Sequence, residues 1–387
     1  MEKSEPALAT RPNILLLGGD GGYSGVPTFL GQLCAALKDY ATFTIISEPN
    51  EGGYDFAKDG VTLCEVDGMK TGLSLRRFWR ALRALDTQIS SGGHDLIWAH
   101  ARMSLIQLRV LMILRRLRGQ PMPRCAVTYH GVPFGPGHRR SFAAVSLLLE
   151  RIFLTVTSPH QLHFLSTADM EHFTARLGSR ALARHASAVL PNCSRLGPLP
   201  PRTQNSSPTL LMTGRAGHQK NHPAAAQLFA ALPESFQLIL CGAGTEIHKM
   251  APVFERVQTG LSKRVQFLGP IPDVRTLLAQ ADVLLLPSRY EGMPIAALEA
   301  FEAGLPMALS DIPSMADILA VHPMAVAIDI TAPQSAAAEV VELIDHFRRT
   351  PKAAEENQKV FAQHFSYNVW KGRVQNLVAG MLGQKGQ

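Results

Sequence analysis

The sequence predicts an α/β protein made of two doubly wound parallel-sheet halves. Three observations carry this. Short continuous apolar runs of strand length, among them Ile14 to Leu17, Cys125 to Tyr129 and Val283 to Leu286, alternate with stretches of helical periodicity. Such runs are expected of strands buried on both faces of a parallel sheet. A stretch rich in proline and small polar residues, GPLPPRTQNSSP from Gly197 to Pro208, reads as a linker near the middle of the chain. The 387 residues, 46% of them hydrophobic, suit two domains that each bury a core.

The first half opens with a polar start over residues 1–12, expected to be disordered. The strand Ile14 to Leu17 runs into GGDGGYSGVPTFLGQL, whose six glycines between Gly18 and Gly31 let backbone amides approach a ligand at the start of a helix holding Phe29, Leu33 and Leu37. The loop is phosphate-compatible, or a tight turn alone. It misses the dinucleotide fingerprint, because Ser24 falls where a third glycine should stand after Gly19 and Gly21. A strand from Phe43 to Ser47 ends at Glu48, and a helix follows over LRRFWRALRAL. The next strand, Asp95 to Ala99, ends at His100; the run Cys125 to Tyr129 delivers His130 to the glycine- and proline-rich loop HGVPFGPGHRR. Strand ends of α/β folds collect functional side chains, although a lone histidine is also a common core residue. An apolar helix is expected over Phe142 to Val156, a strand over Phe164 to Thr167 and a helix over Ala168 to Leu177.

The second half opens with a strand, Thr209 to Thr213, and the loop GRAGHQKNHP before a helix with Pro223 in its first turn. Arg215 and Lys220 lie on that loop, where two cations and a helix N-terminus can hold a diphosphate through charge-assisted hydrogen bonds. Strands Leu238 to Leu240 and Val265 to Leu268 and a helix Val274 to Gln280 follow. The stretch ADVLLLPSRYEGMPIAALEAFEAGLPMALS then reads as strand, loop, helix and strand, with Pro294 in the first turn of the helix and Gly304 as its stop. It holds Glu291 in the loop and Glu299 in the helix, eight positions apart. Two carboxylates at a strand-end crevice can accept hydrogen bonds from the hydroxyls of a polyol; equally, they can be solvated helix-end acids. Helices around Val340 to Arg349 and Val369 to Leu382 close the chain.

The net charge of +7 favours an anionic partner: nucleotide phosphates, or an anionic membrane surface. Arg76, Arg77, Arg80 and Arg83 flank an apolar face, and Arg109, Arg115, Arg116 and Arg118 punctuate a second apolar segment. Both read as basic amphipathic helices able to lie on lipid, or as packed helices with a solvated basic face. No nucleic-acid module is visible, so no nucleic acid is expected. Five scattered cysteines without a C-x-x-C pair fit reduced thiols in the cytoplasm, and no apolar stretch reaches the length of a spanning helix.

The segment EGMPIAALE resembles the E-x7-E motif of family 4 glycosyltransferases, retaining nucleotide-sugar enzymes of the GT-B fold. GRAGHQKN resembles the family's diphosphate loop, and VLPNCS its V-I-P-N-G-V-D segment, with Cys193 where glycine is usual. The resemblance implies two Rossmann-like domains facing each other across a cleft: residues 13–200 on the acceptor side, 201–365 on the donor side, and 366–387 crossing back to the first. It implies that Glu299 holds the ribose, that Glu291, Gly292, Met293 and Pro294 hold the donor sugar, and that Arg215 and Lys220 hold the diphosphate. Gly21, Gly22 and Gly25 would face the donor, and His130 would stand near its sugar. The catalytic set so implied is His130, Arg215, Lys220 and Glu291. No metal and no cofactor is expected beyond a UDP-sugar or GDP-sugar donor. The acceptor would be a saccharide or lipid-linked molecule of the cell envelope, with the enzyme cytoplasmic or peripheral on the inner face of the plasma membrane. Two rivals are a non-catalytic membrane-associated sugar-nucleotide binding protein and an NAD-dependent oxidoreductase using Glu48 for the ribose.

Overall fold

A computed structural model describes residues 11–22, 24–54, 60–70, 72, 74–203 and 205–383. Of the expected disordered start, residues 1–10 lie outside these; Pro12 already accepts a hydrogen bond from the Thr42 amide (2.9 Å) at the sheet margin. The first sheet contains β1 (Asn13–Leu17), β2 (Thr42–Ser47), β3 (Val61–Glu65), β4 (Leu96–Ala99), β5 (Arg124–Tyr129), β6 (Gln161–Phe164) and β7 (Ala186–Val189). Their spatial order is β3-β2-β1-β4-β5-β6-β7. The second contains β8 (Thr209–Thr213), β9 (Gln237–Cys241), β10 (Val265–Phe267), β11 (Val283–Leu286), β12 (Met307–Ser310) and β13 (Ala325–Ile328), in the order β10-β9-β8-β11-β12-β13. Every paired neighbour runs parallel. Each chain order reverses beside its first strand, at β1/β4 and at β8/β11, and ligand crevices of open sheets lie at such switch points.

The central strands are the fully buried apolar runs, as in β4, β8, β11 and β12. The edge strands β3, β7 and β13 have no counterpart among the sequence expectations. Their burial is mixed: in β3 (VTLCE) polar residues interrupt the apolar ones, β7 (ASAV) is half exposed, and β13 (AVAI) is an apolar run too short for periodicity to tell strand from helix. The strand expected over Phe164 to Thr167 ends instead at Phe164, and begins at Gln161. His163 within it is fully buried with its ring edge-on to Trp98 (5.1 Å), which hides the strand from a purely apolar reading. Ser166 caps the following helix, its hydroxyl accepting from the Asp169 amide (3.1 Å).

The helix Tyr367–Leu382 returns to the first domain. Trp370 meets Phe29 edge-to-face at 5.5 Å, and Arg124 donates to the Met381 carbonyl (2.6 Å). Trp370 is 1% exposed, within an apolar cluster drawn from both domains. Trp370→Ala should therefore cost about 4 kcal/mol in urea unfolding. A cost under about 1 kcal/mol would show that this helix does not clamp the domains.

The expected solvated basic cluster on the second apolar segment is corrected by the structure. In helix Arg102–Leu117, Arg109 is 0% exposed, bonded to Glu150 (2.8 Å) and to the Tyr129 hydroxyl. Arg115 pairs with Asp86 (2.6 Å), and so does Arg118 (3.3 Å). Carboxylates supplied by distant segments, Glu150 on Arg109 and one Asp86 shared by Arg115 and Arg118, offset these charges in part, which no local pattern shows. Helix Leu75–Ser91 does expose Arg76, Arg77 and Arg83 beside Trp79.

Candidate functional site

The site grows from the two loops at the β8/β11 switch. After β8, Gly214 adopts φ +130°, and a Cβ there would stand 2.6 Å from Lys220 Cε, so the lysine stem folds over bare backbone. Asn221, left-handed at φ +56°, precedes the helix His222–Ala230 and turns the loop back toward β11. Lys220 Nζ reaches Glu291 Oε1 at 2.8 Å. The Ser288 hydroxyl donates to the same oxygen (2.8 Å), and Gln219 Nε2 donates to Oε2 (2.7 Å). The Arg289 amide donates to the Gln219 carbonyl (2.8 Å), closing the two loops into one unit. Arg215 stands exposed at the rim, with no hydrogen bond or ion pair to any described residue.

Helix Ile295–Glu302 carries Glu299. Burial first, then Glu302, pushes its carboxyl up to about 7, while Lys220 pulls the other way. None of the described residues donates a hydrogen bond to it. Pro294 is the N-cap in extended backbone (ψ 121°), one residue ahead of the helix, where the sequence placed it in the first turn. The difference is small because Pro294 already offers its carbonyl to the Ala297 amide (3.0 Å).

Across the cleft stand the loops after β1, β4 and β5. Gly21 packs so closely on Pro49 that no Cβ fits, and its carbonyl accepts from the amides of Glu51 (2.8 Å) and Gly53 (2.9 Å). Gly21 thus joins two loops of its own domain. Gly22 and Gly25 are open, and a Cβ on Gly25 would have Ile295 Cδ1 of the second domain at 4.0 Å. His130 Nε2 is 3.5 Å from His100 Nδ1, with Phe29 edge-on to the His130 ring at 4.9 Å. Burial lowers His130 to about 4, so both of its nitrogens cannot be protonated at neutral pH. A Cβ on Gly292 would meet the His130 carbonyl oxygen at 2.6 Å, which puts the His130 and Glu291 loops in contact. His138 stacks on Tyr290 at 3.9 Å.

The structure therefore brings His130, Glu291, Gly292 and Met293 together with Lys220, and packs Gly21 against Pro49. Several participants had no legible signal. Gln219 and Ser288 hold Glu291; Asn192 donates to the Met293 carbonyl (2.6 Å) across the domains. Beside it Cys193, where the resembled segment usually has glycine, is buried and donates to Gln32 Oε1 (3.3 Å). A cavity of about 340 Å³ opens on the first-domain side, with Asp20, His100, Arg102, His130, Glu150 and Arg215 in its wall. Among the described residues, no group of three or more His, Cys, Asp or Glu is placed to hold a metal ion. Glu48, the rival ribose ligand, already accepts from the amides of Gly68 (2.7 Å) and Lys70 (2.9 Å) through one oxygen.

Residues 200–360 match the family described as Glycosyl transferases group 1. Over 276 residues, 67% of this chain and 68% of the other, the protein is 27% identical to the UDP-Gal:alpha-D-GlcNAc-diphosphoundecaprenol alpha-1,3-galactosyltransferase of Escherichia coli. The fold is that of the sucrose-phosphate synthase of Thermosynechococcus elongatus, with a TM-score of 0.79 at 16% identity over 96% of this chain and 100% of that one. It is likewise that of Anabaena HepE solved with UDP and glucose, with a TM-score of 0.76 at 16% identity over 96% and 100% of the two chains. The likeness to glycosyltransferases group 1 thus lies in the second half of the chain, and the two Rossmann-like sheets match the GT-B architecture.

Proposed function

From the premise of a group 1 glycosyltransferase, we propose a retaining, metal-independent hexosyl transfer from a UDP-sugar to a hydroxyl of a saccharide or lipid-linked acceptor. The observation that carries it is the unspent bonding capacity around the Lys220–Glu291 pair. An ammonium has three N–H donors, and Glu291 engages one, leaving two for phosphate oxygens. A carboxylate has about four acceptor sites. Lys220, Ser288 and Gln219 take three on Glu291, leaving room for a sugar hydroxyl. Glu299, half-buried and with no donor among the described residues, is suited to the two ribose hydroxyls.

In this reading the bond from the anomeric carbon to the β-phosphate oxygen breaks, and a bond to the acceptor oxygen forms on the same face. The acceptor proton passes to the departing phosphate. Lys220 and Arg215 hold the negative charge that develops on the diphosphate, a service worth about 3 kcal/mol per well-placed donor. The backbone of Gly292, Met293 and Pro294 frames the sugar, and neutral His130 can donate to one of its hydroxyls. Gly22 and Gly25 leave space for the diphosphate, while Gly21 shapes the loop behind them. Uridine is favoured over guanosine because the Escherichia coli relative is named for UDP-Gal and the Anabaena protein of like fold was solved with UDP. Envelope polysaccharide or glycolipid assembly on the cytoplasmic side is the setting this reading supports.

The test is thermal unfolding with UDP, GDP and NAD, followed by NMR of the product anomer. At about a hundred times its dissociation constant, UDP should add roughly 2.7 kcal/mol. Product should keep the donor's anomeric configuration. Stabilisation by NAD alone would overturn the reading, and an inverted product would overturn the retaining mechanism.

A further inference from the structure

Helix Arg140–Val156 shows two faces with different tasks. Ser146, Glu150 and Phe153 turn inward and line the cleft cavity. Outward, Phe142, Val145, Leu148, Ile152 and Val156 recur at three- and four-residue steps. They are 38, 59, 59, 46 and 40% exposed, an apolar stripe on a helix that buries only Ser146, Glu150, Phe153 and Leu154.

Cations surround the stripe. Arg139 and Arg140 are exposed at its N-terminal end. Arg151 donates to the Arg176 carbonyl (3.2 Å), Arg116 to the Val156 carbonyl (3.4 Å) and Arg184 to the Thr155 carbonyl (2.6 Å). None of these five forms an ion pair with a described residue. A groove of about 490 Å³ beside the stripe holds Arg140, Arg151 and Arg176 against Leu147 and Leu148, with no Asp or Glu in its wall. The only acid of the helix, Glu150, is buried on Arg109.

We infer that this face docks on an anionic lipid bilayer, with the stripe at the acyl boundary and the arginine groove taking lipid phosphates. A self-complementary contact with a second copy would oppose these arginines to themselves, with no acid on the patch to offset them. A bilayer of anionic lipid supplies both complements, apolar depth and negative charge. Because the inner face of the same helix lines the cavity, docking holds one wall of the cavity at the interface. Resting on the proposed function for this last step, a lipid-linked acceptor could enter the cleft without leaving the bilayer.

Sedimentation of the full chain with vesicles of phosphatidylcholine, and of equimolar phosphatidylcholine and phosphatidylglycerol, tests this. The protein should bind the anionic vesicles, more weakly as salt rises. The Leu148→Glu/Ile152→Glu double variant should lose roughly tenfold or more of that affinity. Ile247→Glu, an exposed apolar site in the other domain, should change nothing. UDP stabilisation in each variant reports folding and the donor site separately, so its absence in every protein would overturn the proposed donor while vesicle binding still judged the docking face. Equal binding to both vesicles, unchanged binding by the double variant, or loss confined to Trp79→Glu would overturn the inference. So would an apolar-stripe-dependent dimer in sedimentation velocity without vesicle binding.

Discussion

Replacing Glu299 with glutamine should raise the stability of the ligand-free protein and abolish its stabilisation by UDP. The two effects have one cause. Burial raises the Glu299 carboxyl from the ordinary 4.5 to about 7, so the folded protein binds this proton more tightly than the unfolded chain. Between those values the native state holds more protons, and stability falls as pH rises through that window. The loss is complete above about 7. Glutamine removes the ionisation and should return on the order of 1 kcal/mol at slightly alkaline pH. The donor pays in the opposite direction. Two ribose hydroxyls on a carboxylate contribute about 1.5 kcal/mol each, so UDP should bind the variant about a hundredfold more weakly. Affinity in the parent should rise as pH passes upward through about 7, where Glu299 ionises, and this rise should vanish in the variant. Calorimetric titration at several pH values checks all of it. A variant that is less stable and binds UDP normally would assign Glu299 to the core.

Lys220→Ala should lower transfer by about 10²- to 10³-fold and cost about 3 kcal/mol of stability. Its side chain is 13% exposed and that of its partner Glu291 5%, so the alanine leaves a buried carboxylate with only Gln219 and Ser288. Arg215→Ala provides the contrast. Arg215 is exposed and pairs with no described residue, so its loss should depress turnover with unfolding unchanged within about 0.5 kcal/mol. In a double-mutant cycle, Lys220→Ala and Glu291→Gln should couple by about 1.5 kcal/mol in stability. A coupling near zero, or a threefold or smaller loss of turnover in Lys220→Ala, would remove the pair from the reaction.

Much of the candidate site could be read locally because its parts are consecutive. A loop between β8 and a helix brings Arg215 and Lys220 with it, and the loop after β11 brings Glu291 to Pro294. The pairing of Lys220 with Glu291 could not be read, since 71 residues separate them and only the β8/β11 adjacency closes the distance. Gly21 shows the reverse failure. A glycine in a ligand-facing loop and one pressed on a neighbouring loop look identical until Pro49 is in place.

By itself, the sequence determined the periodicities that make central strands and helices, the linker, and the residue types carried by the two loops after β8 and β11. These are short-range properties, set by backbone preference and by apolar spacing within each segment. Tertiary structure alone decided which charges remain available. Arg109 and Arg116 share one helix and one residue type, yet the first is sealed against Glu150 and the second stands beside an apolar stripe. The physical reason is that a charge is cancelled by whatever packs on it, and packing partners come from segments far away in the chain.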